Sequence, residues 1–82
     1  MIAIIDFGDS IQVVNGIHFN REESQLEFST EATDKPCIIN GDIFLLEIAL
    51  EVLKEYIMLR TKYLSIYEVL HESKCRLKKQ SQ

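Results

Sequence analysis

IFLLEIALEVLKEYIMLRTKYLSIYEVLHESKCRLKK, residues 43–79, runs for 37 positions without Gly, Pro, Asn or Asp. Nothing in it punctuates a helix, and most of its residues are good helix formers. The run predicts one continuous helix over residues 42–78, with Asp42 as the N-cap by its side-chain chemistry. With residue 43 at heptad position a, Ile43, Leu50, Ile57 and Leu64 fall at a and Leu46, Leu53 and Tyr67 at d, with Arg60 interrupting the d positions. A second stripe runs alongside through Leu45, Ala49, Val52, Tyr56, Leu59, Tyr63, Ile66, Leu70 and Leu77.

At about 100° per residue the two stripes cover an arc of about 160°, wider than one-sided packing needs. Glu47, Glu51, Lys54, Glu55, Thr61, Lys62, Glu68 and Glu72 mostly occupy the other arc. The helix therefore has two surfaces to bury. A helix of this length spans about 55 Å, whereas a sheet of four five-residue strands measures roughly 17 by 20 Å. Each large apolar side chain left in water forfeits about 1.5–3 kcal/mol, so the uncovered stripe implies a second protein surface, most simply that of a two-fold dimer. The alternative is a bend near Arg60–Lys62 that folds the second half back as an antiparallel hairpin; the absence of any turn residue favours the continuous helix.

Upstream, residues 1–29 alternate short apolar runs with Gly8-Asp9-Ser10, Asn15-Gly16 and Arg21–Ser24, the pattern of a four-stranded antiparallel meander. A two-residue loop at Asn15-Gly16 would mix polar and apolar side chains on both faces. Treating Val14-Asn15-Gly16 as a three-residue loop with Gly16 left-handed pairs Val13 with Ile17 and Ile11 with Phe19. Loops at Gly8–Ser10 and Arg21–Ser24 then pair Ile5 with Val13, Phe19 with Leu26 and Ile17 with Phe28. One face carries Ala3, Ile5, Phe7, Ile11, Val13, Ile17, Phe19, Leu26 and Phe28. The other collects Asp6, Gln12, His18, Asn20, Gln25, Glu27 and Ser29, together with Ile2 and Ile4. Residues 30–41 read as a connection with a candidate short fifth strand at Cys37–Asn40, and 79–82 as a basic, polar tail. The expected architecture is a single α+β domain over residues 1–82, a β-meander packed on one long C-terminal helix.

An 82-residue chain is near the size at which one core has little stability to spare. Its apolar fraction of 46% and charged fraction of 27% are those of a globular protein rather than a disordered one. No stretch approaches the roughly 18 uncharged apolar residues of a membrane span, and the N-terminus lacks a signal-peptide pattern, so the expectation is a cytoplasmic protein without membrane contact. Cys37 and Cys75 have neither the count nor the spacing of a disulfide framework or a zinc site. Residues 1–59 carry eleven acids against three bases and residues 60–82 two acids against six bases, an acidic body with a basic tail.

MIAIIDFG, residues 1–8, resembles the first strand of the glutamine amidotransferase subunit of imidazole glycerol phosphate synthase, and IIDFGDSIQVV, residues 4–14, resembles the first phosphate loop of the actin and hexokinase fold. The first family implies a Cys nucleophile on a Gly-flanked turn and a His-x-Glu pair. Here Cys37 lies in KPCII, and neither His18 nor His71 has Glu two positions later. The second implies matching roles for Asp6, Gly8 and Ser10, with Asp9 departing from the motif, and two further nucleotide motifs that a chain of this length cannot hold.

No carboxylate pair, metal cluster or Cys-His pair is argued by spacing, so neither catalytic nor cofactor-binding nor metal-binding residues are expected. The expectation is a small acidic protein-protein interaction module, a homodimer that binds and regulates or inhibits a larger protein, in the manner of phage-type inhibitors, antitoxins or chaperone-like adaptors. Its interface residues would be Val52, Tyr56, Leu59, Tyr63, Ile66, Tyr67 and Leu70, with aromatics where binding energy concentrates. The alternative is nucleic-acid or acidic-partner contact through Lys74, Arg76, Lys78 and Lys79, against which stand the absence of aromatics over residues 71–82 and a net charge of −4.

Overall fold

A computed structural model of the chain describes residues 1–59 and 63–80. In order these form strands β1 (Ala3–Asp6), β2 (Ile11–Asn20), β3 (Gln25–Thr30) and β4 (Cys37–Asn40), helix α1 (Ile43–Met58), strand β5 (Tyr63–Ser65) and helix α2 (Ile66–Gln80). The class is α+β, and the sheet order is β4-β3-β2-β1-β5. The first four strands pair antiparallel, but β5 lies parallel to β1, so the sheet is mixed rather than purely antiparallel.

Two turn details set the register. The Phe7 N–H donates to the Ser10 carbonyl at 2.8 Å, which makes the first loop Gly8-Asp9 rather than Gly8–Ser10. Gly8 has φ +96° and occupies the first loop position, where two-residue hairpins prefer glycine; its N–H donates to Asp6 Oδ1 at 2.8 Å. A loop one residue shorter than expected moves every side chain of the facing strand to the opposite face. Ile4 thus pairs with Val13, Ile5 with Gln12 and Asp6 with Ile11, in place of the expected Ile5–Val13 pair.

Asn15-Gly16 is not a loop at all. β2 runs through it unbroken, with Val14 opposite Thr30 and Gly16 opposite Ser29, so Asn15 is the extra residue of a bulge. Gly16 takes no left-handed φ. The bulge resets the alternation, so Val14 and Ile17 both face inward. Beyond it the expected pairs Ile17–Phe28 and Phe19–Leu26 are present, and the candidate strand Cys37–Asn40 is β4.

An ideal Cβ on Gly8 would sit 2.5 Å from Tyr67 Oη and 2.8 Å from the ring, in a φ region that L residues avoid. Gly8→Ala is expected to cost about 1–2 kcal/mol from the backbone alone, with displacement of the Tyr67 ring adding to it. Urea denaturation checks this, and an unchanged midpoint would contradict the packing of Tyr67 over the turn.

The helical C-terminal half is present as two helices rather than one. Asp42 caps α1, its Oδ1 accepting from the Phe44 N–H at 3.2 Å, and α1 ends at Met58 with Leu59 as its C-cap. The expected continuation through residues 63–65 is overturned by β5, which pairs along β1; the bend position Arg60–Lys62 lies outside the described residues. The geometry requires the break. The chain leaves the sheet at edge strand β4 and re-enters it at β5 on the opposite edge, about 19 Å away across five strands, a distance that the roughly 24 Å of α1 bridges.

α1 buries Leu46, Ile48, Ala49, Val52 and Leu53, against a sheet face carrying Ala3, Ile5, Val14, Leu26 and Phe28. Phe7 meets Phe28 edge-on, with ring centroids 5.1 Å apart. The second burial surface of the helical run is met within the chain, because α2 packs on α1 through Ile66, Val69 and Ser73. Ser73 is fully buried, and its hydroxyl donates to the Val69 carbonyl at 2.6 Å, which leaves no polar atom unpaired on a side chain small enough for close helix approach. Arg76 grips Glu55 with two bonds, at 2.6 and 3.1 Å, and Glu72 with a third at 2.8 Å. The hydrogen bonds from Arg76, with its charge, hold the Glu55 carboxyl below its ordinary range, and those carboxylates raise the Arg76 guanidinium further. For a depressed carboxyl, the stabilisation is present above the unfolded-state value and is lost as pH falls through the folded one.

Candidate interaction surface

The one-residue register change has its main consequence on the sheet face turned away from α1. Residues opposite one another across neighbouring strands share a face, so β5, β1 and β2 place Tyr63, Ile4 and Val13 in one row across three strands, at about 4.8 Å spacing. The next row is Ser65, Asp6 and Ile11. Tyr63 is 54% and Ile11 58% exposed, while Ile4 and Val13 are half-buried. None of the four packs against the core cluster. Beyond the bulge the same face turns polar with His18, Asn20, Gln25, Glu27 and Ser29, and Asn20 Nδ2 donates to Glu27 Oε2 at 3.1 Å. The outward face is thus divided, apolar toward β5 and polar toward β3.

The interface expected from the helical stripe separates into three groups. Val52 and Ile66 are core residues, 0% and 2% exposed, because the stripe they belong to is closed by the α1–α2 packing. Tyr56 and Leu70 are half-buried against that core. Leu59, Tyr63 and Tyr67 are exposed, at 71%, 54% and 66%. Tyr67 covers Gly8, and Tyr63 joins the apolar row. Met58, beside Leu59, is also exposed. Ile4 is on the outward face in the sequence reading too, whereas Ile11 and Val13 are expected on the inward face, because their direction depends on the length of the first loop. The signal that finds them is Gly8 itself, whose place as the first of two loop residues fixes the hairpin register.

Of the basic residues, Arg76 is engaged by Glu55 and Glu72, which removes it from the expected contact set. Lys74, Lys78 and Lys79 are exposed on α2, and the last two complement the negative end of the helix. α2 continues to Gln80, so Lys79 and Gln80 belong to its last turn rather than to a tail.

One pairing escapes the spacing argument: Cys75 Sγ lies 3.8 Å from His71 Nε2, four residues apart on the exposed side of α2. A shallow cavity of about 340 Å³ lies over the polar half of the outward face, lined by His18, Glu27, Thr33 and Lys35 among others. A second, of about 250 Å³, lies between the first turn and β4, lined by Phe7, Asp9, Ser10 and Cys37–Ile39. Among the described residues no group of three or more His, Cys, Asp or Glu is placed to hold a metal ion, and no helix is long and apolar enough to cross a membrane. Comparison of the chain with protein-family models, with curated proteins and with solved structures finds no match in any of the three.

Proposed function

We propose that this chain is a small acidic, non-enzymatic protein-protein interaction module, a homodimer that binds a larger protein and regulates or inhibits it. The observation that supports this reading is the outward row Tyr63–Ile4–Val13 with Ile11 beside it, apolar side chains outside the core cluster, of which Tyr63 and Ile11 are more than half exposed. A rigid sheet face with an aromatic at one end suits a partner's apolar surface, and little ordering entropy is lost on docking because strands already hold the side chains. The polar half of the same face, and the acidic residues of the body, would form the rim that excludes wrong partners.

The test is a pair of affinity captures, with the wild-type chain and with Ile4→Glu/Tyr63→Glu as bait, after circular dichroism has established that both are folded. The expected result is a protein retained by the wild-type chain and lost, by at least 100-fold in affinity, with the charged face; on the order of 2.7 kcal/mol, this is the size of one or two hot-spot side chains. Equal retention by both baits would remove the face from the reading. Failure of the wild-type bait to retain any protein above a blank matrix would remove the reading.

A further inference from the structure

Edge strand β4 presents backbone groups whose direction follows from one hydrogen bond. The Gly41 N–H donates to the Ser24 carbonyl at 3.2 Å, and the register continues as Asn40 opposite Gln25, Ile39 opposite Leu26, Ile38 opposite Glu27 and Cys37 opposite Phe28. Hydrogen-bonded and non-hydrogen-bonded pairs alternate along an antiparallel ladder. With Gly41 in a bonded pair, Ile39 and Cys37 bond inward to β3, and the N–H and C=O groups of Ile38 and Asn40 point out from the sheet edge. Exposed edges of this kind are usually guarded by a charged side chain or a bulge within the strand. β4 has neither over Cys37–Asn40, its four residues being uncharged and regularly paired, and its guards are its shortness and the Lys35-Pro36 that precedes it.

We propose that the β4 edge is the homodimer interface, where a second copy of this chain pairs antiparallel through its own β4 to make one continuous ten-stranded sheet; this rests on the homodimer reading and assigns its surface. Two-fold symmetry centred on Ile39 sets Ile38 opposite Asn40 of the second copy and Asn40 opposite its Ile38, so all four outward groups of each strand are bonded. The ends then complement each other in charge. Carried one step past Gly41 through the extended Asp42, the register brings Asp42 of one copy opposite Pro36 of the other, next to Lys35, and this occurs twice. Ile38, 44% exposed, stands on the edge strand and loses water in the pair. A charged edge would repel its own copy, whereas this one brings unlike charges together only in the antiparallel arrangement. The apolar row near β5 lies at the far edge of each copy and stays open in the dimer.

Three variants of the full chain and one cross-link test the assignment, read by light-scattering mass across a concentration series. The wild-type chain is expected at twice its 9.5 kDa mass. Ile38→Pro removes an N–H that the monomer's own ladder does not use, on an edge strand where proline is tolerated, and is expected to give a folded chain of half the wild-type mass. Lys35→Glu is expected to raise the dimer dissociation constant several-fold at low salt and less at high salt. In a Cys37→Ser/Cys75→Ser background, Ile39→Cys is expected to form an intermolecular disulfide, because the symmetric register sets the two copies of residue 39 directly opposite at about 4.5 Å between Cα atoms. A wild-type monomer at every concentration would overturn both this assignment and the homodimer reading. A dimer that survives Ile38→Pro but is lost with Ile4→Glu/Tyr63→Glu would overturn the edge assignment alone and move the interface to the outward face.

Discussion

Phe28→Ala is expected to cost about 3–5 kcal/mol of unfolding free energy, the range for deleting a fully buried phenylalanine. Phe28 is 0% exposed at the centre of the inward sheet face, opposite Ile17 on one side and Cys37 on the other, and it carries the edge of the Phe7 ring. Its loss leaves a cavity under α1 and removes the contact that holds the first turn against the sheet. A domain of this length has roughly 4–12 kcal/mol to lose, so the variant forfeits a quarter or more of its stability and, at the low end of that range, is largely unfolded at room temperature. Urea denaturation followed by circular dichroism measures the change. A loss under about 1 kcal/mol would mean that the inward face is not packed as described.

Val52→Glu distinguishes two architectures. On one continuous helix Val52 lies on the stripe offered to another subunit, and a charge there would give a folded monomer. In the two-helix fold Val52 is 0% exposed, within the core cluster that also holds Leu53, Ile66 and Val69. A carboxylate placed there loses its water, so the expected result is a chain unfolded at neutral pH, a loss of about 4 kcal/mol or more. Leu59→Glu serves as the contrast. Leu59 is 71% exposed at the C-cap, and its substitution is expected to leave stability within about 0.5 kcal/mol of wild type. Native circular dichroism for Val52→Glu would return Val52 to an intermolecular surface.

What the amino-acid order reveals depends on how local the deciding contact is. The pairs Ile17–Phe28 and Phe19–Leu26 are legible because the loop over Arg21–Ser24 joins them directly and the faces separate in only one register. Asn15-Gly16 is ambiguous, since the same dipeptide closes hairpins and opens bulges. Its role is settled at a distance, where the Glu31 N–H reaches the Val13 carbonyl at 3.2 Å and Thr30 pairs with Val14, carrying β3 past the point where a loop would have turned back. The wide apolar arc over residues 43–70 correctly signals two burial surfaces for the helical run. That the second is supplied by α2 rather than by another chain is the fold-back alternative, which the lack of a turn residue argues against and which Tyr63–Ser65 does not announce, because it carries no strand signal and is recruited by the edge of β1. Of the expected interface, Tyr63 is on the apolar row for a reason the helical period does not contain: it belongs to a strand.

The parallel pairing of β1 with β5 also sets an order of events during synthesis. Ile4 and Tyr63 stand 59 positions apart, and antiparallel neighbours cannot substitute for the missing strand on that side. At roughly 5–20 residues per second, a ribosome leaves one side of β1 without its mate for about 3–12 s, while β2, β3, β4 and α1 emerge and settle. Contacts of such sequence separation form late, after the loop entropy between them has been met by other structure. For that interval one side of the Ala3–Asp6 backbone has no partner strand from its own chain, an unpaired edge of the kind that invites pairing with other polypeptides until Tyr63–Ser65 is made.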